Sequence, residues 1–453
     1  GDAAITAWLN LSVTGPLIVG GDALLESERG KMFLTNAGLD VKGKATFTSF
    51  GDMTIQDGTA DLGDALLTSH DKISVTDWTL NADGTLDMNA ENDLSVITSD
   101  ITAKNTVLTS RNGDMTIDGG KAHWGNTRLT SGKNISITDW LLNADGTLDM
   151  DAENDLSIVN SDITAKDTWL SSRNGNLTIN GGTANWDNTR LTSGKNISIT
   201  DWLLNADGTL NMNAVNDLSV ITSDITAKDT TLTSINGDLT MNGGTAQWGD
   251  TRLTSGNKIS IRDWALQADG TLDMDAVNDL SIVNSDISAK DTVLTSQNGD
   301  LTMNGGKYKM TNLRMRSGNN VTITNVPKIG FDIEDYFGIT AKNRITLRHV
   351  WGKANVADFQ ASSYTLEDWH IFANKMFING TDIYNDPVYL NSLTYARILR
   401  IPDFGDQEDE DEGETGTVIS GHWLPEDFGF LETLNESEPA IIPIFEDSAI
   451  SVP

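Results

Sequence analysis

The chain of 453 residues contains no cysteine, which removes disulfide frameworks, thiol nucleophiles and thiolate metal sites together. It has only 8 prolines, and no linker-like stretch divides its first four hundred or so residues, although it is too long for one ordinary compact domain. No apolar run reaches the roughly 18 residues a membrane-crossing helix needs. The N-terminus shows no basic region followed by an apolar one, so the sequence as given is expected to be soluble, with any signal peptide or anchor removed. Basic side chains are few, 31 against 65 acidic, for a net charge of −34. That charge repels phosphates and anionic lipid head groups, and nucleic acid is not an expected partner.

What the chain has in abundance is repetition. The segments beginning at Leu129 and Leu191 agree over 22 residues except for Asp149 against Asn211, and their starts lie 62 residues apart. The same interval relates Trp78, Trp140, Trp202 and Trp264, and also Gly51, Gly113, Gly175, Gly237 and Gly299. Each long unit divides into three pieces, as at Asp155, Asn176 and Asn196, of 21, 20 and 21 residues. A solenoid reconciles this length with the missing linkers, because each added coil extends one narrow core.

Within a piece the residues alternate. Leu156 and Ile158 share one face of a first strand, a second strand runs through Asp162–Ala165, and a third through Thr168–Ser171. Asn-Gly, Gly-Lys-Asn and Asn-Ala-Asp-Gly lie between them and are expected to supply turns and positive φ. Asn-Gly also favours antiparallel hairpins. Like strands recur every 20 or 21 residues, however, and stacking them places Leu156 beside Leu177 and Ile197, and Ile158 beside Ile179 and Ile199. The fold class read from this pattern is all-β: a parallel β-helix of about 21-residue, three-strand coils, right-handed by the general preference of parallel crossovers. The expected organisation is a regular β-helix over residues 1–343, irregular coils or a cap over 344–405, an acidic linker over 406–417, and a tail over 418–453 that either docks on the rod or lies disordered.

Phrases such as AENDLSIVNSDITAKDTWLSSRNGNLTINGG resemble the repeats of the filamentous haemagglutinin family and related type V secreted adhesins of Gram-negative bacteria. The likeness covers about residues 30 to 330. It implies export past an outer-membrane translocator, by autotransporter or two-partner secretion, and display on the cell surface or release. It further implies attachment to host glycans, host surface proteins or sister molecules on neighbouring cells, with self-association as an added role. The alternative is a β-helical enzyme that binds or degrades polysaccharide.

Catalytic and metal chemistry find little footing in the pattern. The carboxylates recur with the repeat, as in Asp77, Asp139, Asp201 and Asp263, and read as solvated turn residues. His70, His123, His349, His370 and His422 show no metal-ligand spacing, and no cofactor is expected. Two tryptophan sets remain. Trp124, Trp186 and Trp248 fall where neighbouring coils carry alanine and are expected inside the core. Trp78, Trp140, Trp202 and Trp264 sit just past the first strand; facing outwards they form a ligand-binding row suited to sugars, and folded over the corner they are covers.

Overall fold

In the computed structural model, residues 1–383 are described in full, and the strands Ala396–Arg400, Thr417–Gly421 and Ile450–Val452 by their backbone. Residues 406–416 of the expected acidic linker lie outside the described residues, as does His422. The chain forms two units, Gly1–Ile235 and Asn236–Pro453. Both are parallel β-solenoid, with about 18 turns of about 21 residues between them.

The first unit stacks in the register the repeat dictates. Leu156 pairs with Ile135 on one side and Leu177 on the other, and Leu177 pairs with Ile197. Ile137, Ile158, Ile179 and Ile199 form the parallel column. All eight are at most 2% exposed, so each aliphatic side chain contributes about 1.5–3 kcal/mol relative to solvent. The second strands align Ile163 with Ala184, and Ala184 with Leu204. The third strands align Leu170, Leu191 and Met212, with the one-residue offset that the Asp-Gly-Thr turn demands.

Polar side chains hold the corners. Where a coil opens on Asp or Asn, the side-chain oxygen accepts a main-chain N–H of the coil that follows, as Asn134 does from Asp155 at 3.0 Å and Asn196 from Asp217 at 3.0 Å. This preserves the ladder where the backbone turns away from its neighbour. Asp93 accepts in the same way from Asp114 at 3.1 Å and also pairs with Lys72 at 2.6 Å. The Lys72 ammonium, helped by the Asp114 N–H, holds its carboxyl below the usual carboxylate range. A carboxyl depressed in the folded state stabilises above its unfolded value and loses that contribution as pH falls through the folded one. Asp93→Asn should therefore lower the urea midpoint at pH 7, and the gap from wild type should narrow as pH falls below the ordinary aspartate value of about 3.9. An equal gap at pH 7 and pH 3 would refute this assignment.

The left-handed backbone lies elsewhere than the sequence suggests. Gly51, Gly113 and Gly175 of the first-strand turns are not left-handed; a Cβ on Gly113 would lie 2.4 Å from both Asn92 C and Asp93 Oδ1. Close approach explains those glycines. The positive-φ residue instead follows the first strand: Asp57, Asp77, Thr98, Gly119, Asp139, Asn160, Gly181, Asp201 and Thr222 in successive coils.

The second unit has a core column of its own through Ile259, Leu280, Leu301, Val321, Ile345 and Tyr364. Residues 344–378 hold two coils, Arg344–Gln360 and Ser363–Ile378, paired along their length. Aromatic rings fill this core: Tyr308 stacks on Phe331 at 4.9 Å, and Phe331 contacts Phe337 at 4.9 Å. Beyond it Thr381–Asp382 folds back antiparallel on Phe377–Ile378, and Ile450–Val452 lies antiparallel to Tyr364–Leu366. The backbone at the chain's end thus pairs with the last regular coil.

Candidate functional site

The proposed aromatic row is the first correction. Trp78, Trp140, Trp202 and Trp264 are 2, 3, 3 and 1% exposed, so no indole among them presents a face to a sugar. Alternation from Ile73 and Val75 would point residue 77 inwards, yet Asp77 adopts φ 50° and is exposed while Trp78 is buried. One left-handed residue rotates the chain and transfers the inward place to the next side chain.

Each buried tryptophan meets small neighbours. Gly58 is the register partner of Trp78, and the main-chain N–H groups of Trp78, Trp140 and Trp202 each donate to a serine Oγ on the following coil, Ser99, Ser161 and Ser223, at 3.2 Å. Those hydroxyls in turn donate to the carbonyls of Ile97, Val159 and Ile221 at 2.8–2.9 Å. The other set is internal as expected: Trp124 lies between Ala103 and Ala144 and is 1% exposed. The two sets meet edge to face, Trp124 on Trp140 at 5.0 Å and Trp186 on Trp202 at 5.2 Å.

With the tryptophans inside, the side chains open to solvent are those of the outer faces. In the first unit the second strands of successive coils present two outward columns, Asp100–Lys121–Leu141–Asp162 and Thr102–His123–Asn143–Thr164. A shallow groove of about 600 Å³ crosses them. Leu141 supplies an apolar floor, 48% exposed, and His123 Nε2 lies 3.3 Å from Asp145 Oδ2. Alternating donors, acceptors and a small apolar seat suit reversible, non-covalent contact with a polar chain laid across the coils. The repeat carboxylates Asp77, Asp139, Asp201 and Asp263 are exposed at their left-handed corners, as solvated turn residues should be.

One polar cluster in the second unit escaped the sequence reading. His349 Nδ1 lies 2.8 Å from Asp368 Oδ2, and His370 Nε2 lies 3.0 Å from Asp368 Oδ1. His370 is buried and stacks on Trp351 at 3.6 Å. Burial pulls the Asp368 carboxyl upwards, but the two imidazole hydrogen bonds hold it below the usual range. The signal was available in the spacing, since Trp351 and His370 are register partners one coil apart. Among the described residues no group of three or more histidines and carboxylates is arranged to hold a metal ion. Comparison of the chain with protein-family models, with curated proteins and with solved structures returns no match.

Proposed function

We propose that this chain is a bacterial surface-displayed or secreted attachment protein, the adhesive shaft or stalk through which a cell meets host surfaces or sister cells. The observation that supports this reading is the regular coil register of the first unit, which sets largely polar columns in parallel files on its outer face. Such a surface makes many weak contacts with a polymer or a neighbouring shaft, and avidity multiplies them. The likeness of the repeats to filamentous haemagglutinin-type exoproteins points the same way and brings with it the outer-membrane route.

Deletion of one repeat tests it. Removing residues 72–133 joins Asp71 to Asn134, the position 62 residues beyond Lys72, and leaves the ladder in phase. The shortened protein should fold, with circular dichroism unchanged in shape. Coated on beads, it should attach to cells with an affinity lowered less than about tenfold, as one contact among several is lost. Complete loss of attachment with folding intact would locate the activity in a discrete site within that repeat and overturn the distributed reading.

A further inference from the structure

Trp169 is an aromatic residue of the first unit that breaks the repeat and stays in view, as Trp8 and Phe50 also do nearer the N-terminus. Sixty-two residues to either side stand Val107 and Thr231, while Trp169 points outward from the strand Thr168–Ser172 and is 45% exposed. The other strongly exposed tryptophan, Trp8, carries the Arg29 guanidinium over its ring at 4.3 Å. No ring or guanidinium among the described residues stacks on Trp169.

Its setting is rigid and polar. Parallel pairing fixes the backbone from both sides, with Asp149 the register partner on one coil and Arg190 on the other. Arg128 Nε approaches the Asp149 carboxylate at 3.7 Å, and that side chain remains 35% exposed. Arg190 is exposed, as is Asn211 beyond it. The paired backbone holds its Cα in place, and an indole has only two side-chain torsions to order on binding. An acceptor lies to one side of it and a donor fork to the other.

We propose that Trp169, flanked by Asp149 and Arg190, is a platform for one neutral hexopyranose unit of a glycan. The apolar C–H face of the sugar lies on the indole, adjacent hydroxyls donate to Asp149, and the guanidinium of Arg190 donates to a ring or hydroxyl oxygen. The net charge of −34 disfavours polyanionic glycans and selects the neutral class. This assignment rests on the attachment reading and gives the distributed face one discrete foothold, outside the segment removed in the deletion above.

The test is calorimetric titration of the full chain with cellohexaose and with mannohexaose, using a heparin hexasaccharide as the anionic probe. Trp169→Val installs the residue of position 107 and leaves the core untouched; Trp169→Tyr keeps an aromatic face. At least one neutral hexasaccharide should bind wild type with a Kd on the order of 1 mM or tighter. Trp169→Val should weaken it about tenfold or more, and Trp169→Tyr only a few-fold. No neutral binding at about 10 mM, equal binding by Trp169→Val, or tighter binding of the heparin hexasaccharide would each overturn the site. Bead attachment is scored in parallel, so the two readings fail separately. Cell attachment without hexasaccharide binding removes the site alone, and Trp169-dependent hexasaccharide binding without cell attachment removes the attachment reading alone.

Discussion

Gly182→Ala is expected to destabilise the first unit by about 4 kcal/mol or more, among the largest effects a single methyl group can have in this chain. Two costs coincide there. The residue has φ +89°, and a Cβ would lie 2.2 Å from the carbonyl oxygen and 2.7 Å from the nitrogen of Ser161. Those atoms belong to the main chain of the neighbouring coil, and the Gly182 carbonyl accepts the N–H of Leu203 on the other side, so relief in one direction breaks pairing in the other. Gly15→Ala separates the costs, since Gly15 has φ +78° with nothing within 4 Å and should lose only about 1–2 kcal/mol from backbone strain. Urea unfolding gives the totals. Hydrogen exchange gives the location, because coil stacks open locally, and amides near Leu203 should exchange first. A Gly182→Ala midpoint equal to that of Gly15→Ala would mean the coils are not so closely apposed.

Trp202→Ala should cost about 3–5 kcal/mol, the usual range for emptying a buried aromatic site. The ring is 3% exposed and meets Trp186 edge to face at 5.2 Å and 61°. A double-mutant cycle with Trp186→Ala should therefore return a coupling of about 0.5–1.5 kcal/mol. The contrast with Trp169 is the informative part. Trp202→Ala should lower stability and leave hexasaccharide affinity unchanged wherever the protein is folded, whereas Trp169→Val should do the reverse. A loss below about 1 kcal/mol for Trp202→Ala would put that ring back at the surface.

The coil boundaries and aliphatic columns were legible because alternation and a 20- or 21-residue period act together: once Leu156, Leu177 and Ile197 are aligned, the rest of the first strand follows. The corner was not legible, because alternation holds only while φ stays negative, and Asp139 or Asp201 reverses the sense of the next residue. A volume argument would have caught it. The column Gly120, Trp140, Ser161, Gly182, Trp202, Ser223 sets every large ring between small neighbours, a pattern that close packing requires inside and that solvent does not. Trp169 is hard to single out in the sequence for the opposite reason. It reads as one residue of a third strand, although its departure from Val107 and Thr231 marks it as the exception worth following.

The coil-opening Asp and Asn residues confine each coil's dependence to its immediate neighbours: Asn134 serves Asp155, Asn196 serves Asp217, and neither reaches farther. A segment bounded at equivalent positions can then be lost or copied without any other coil changing its partners. The near-identity of the stretches from Leu129 and Leu191 supplies matching ends for such exchange at the level of the gene. The number of coils is thus a heritable variable separate from the packing of any one coil, since each surviving coil keeps its neighbours.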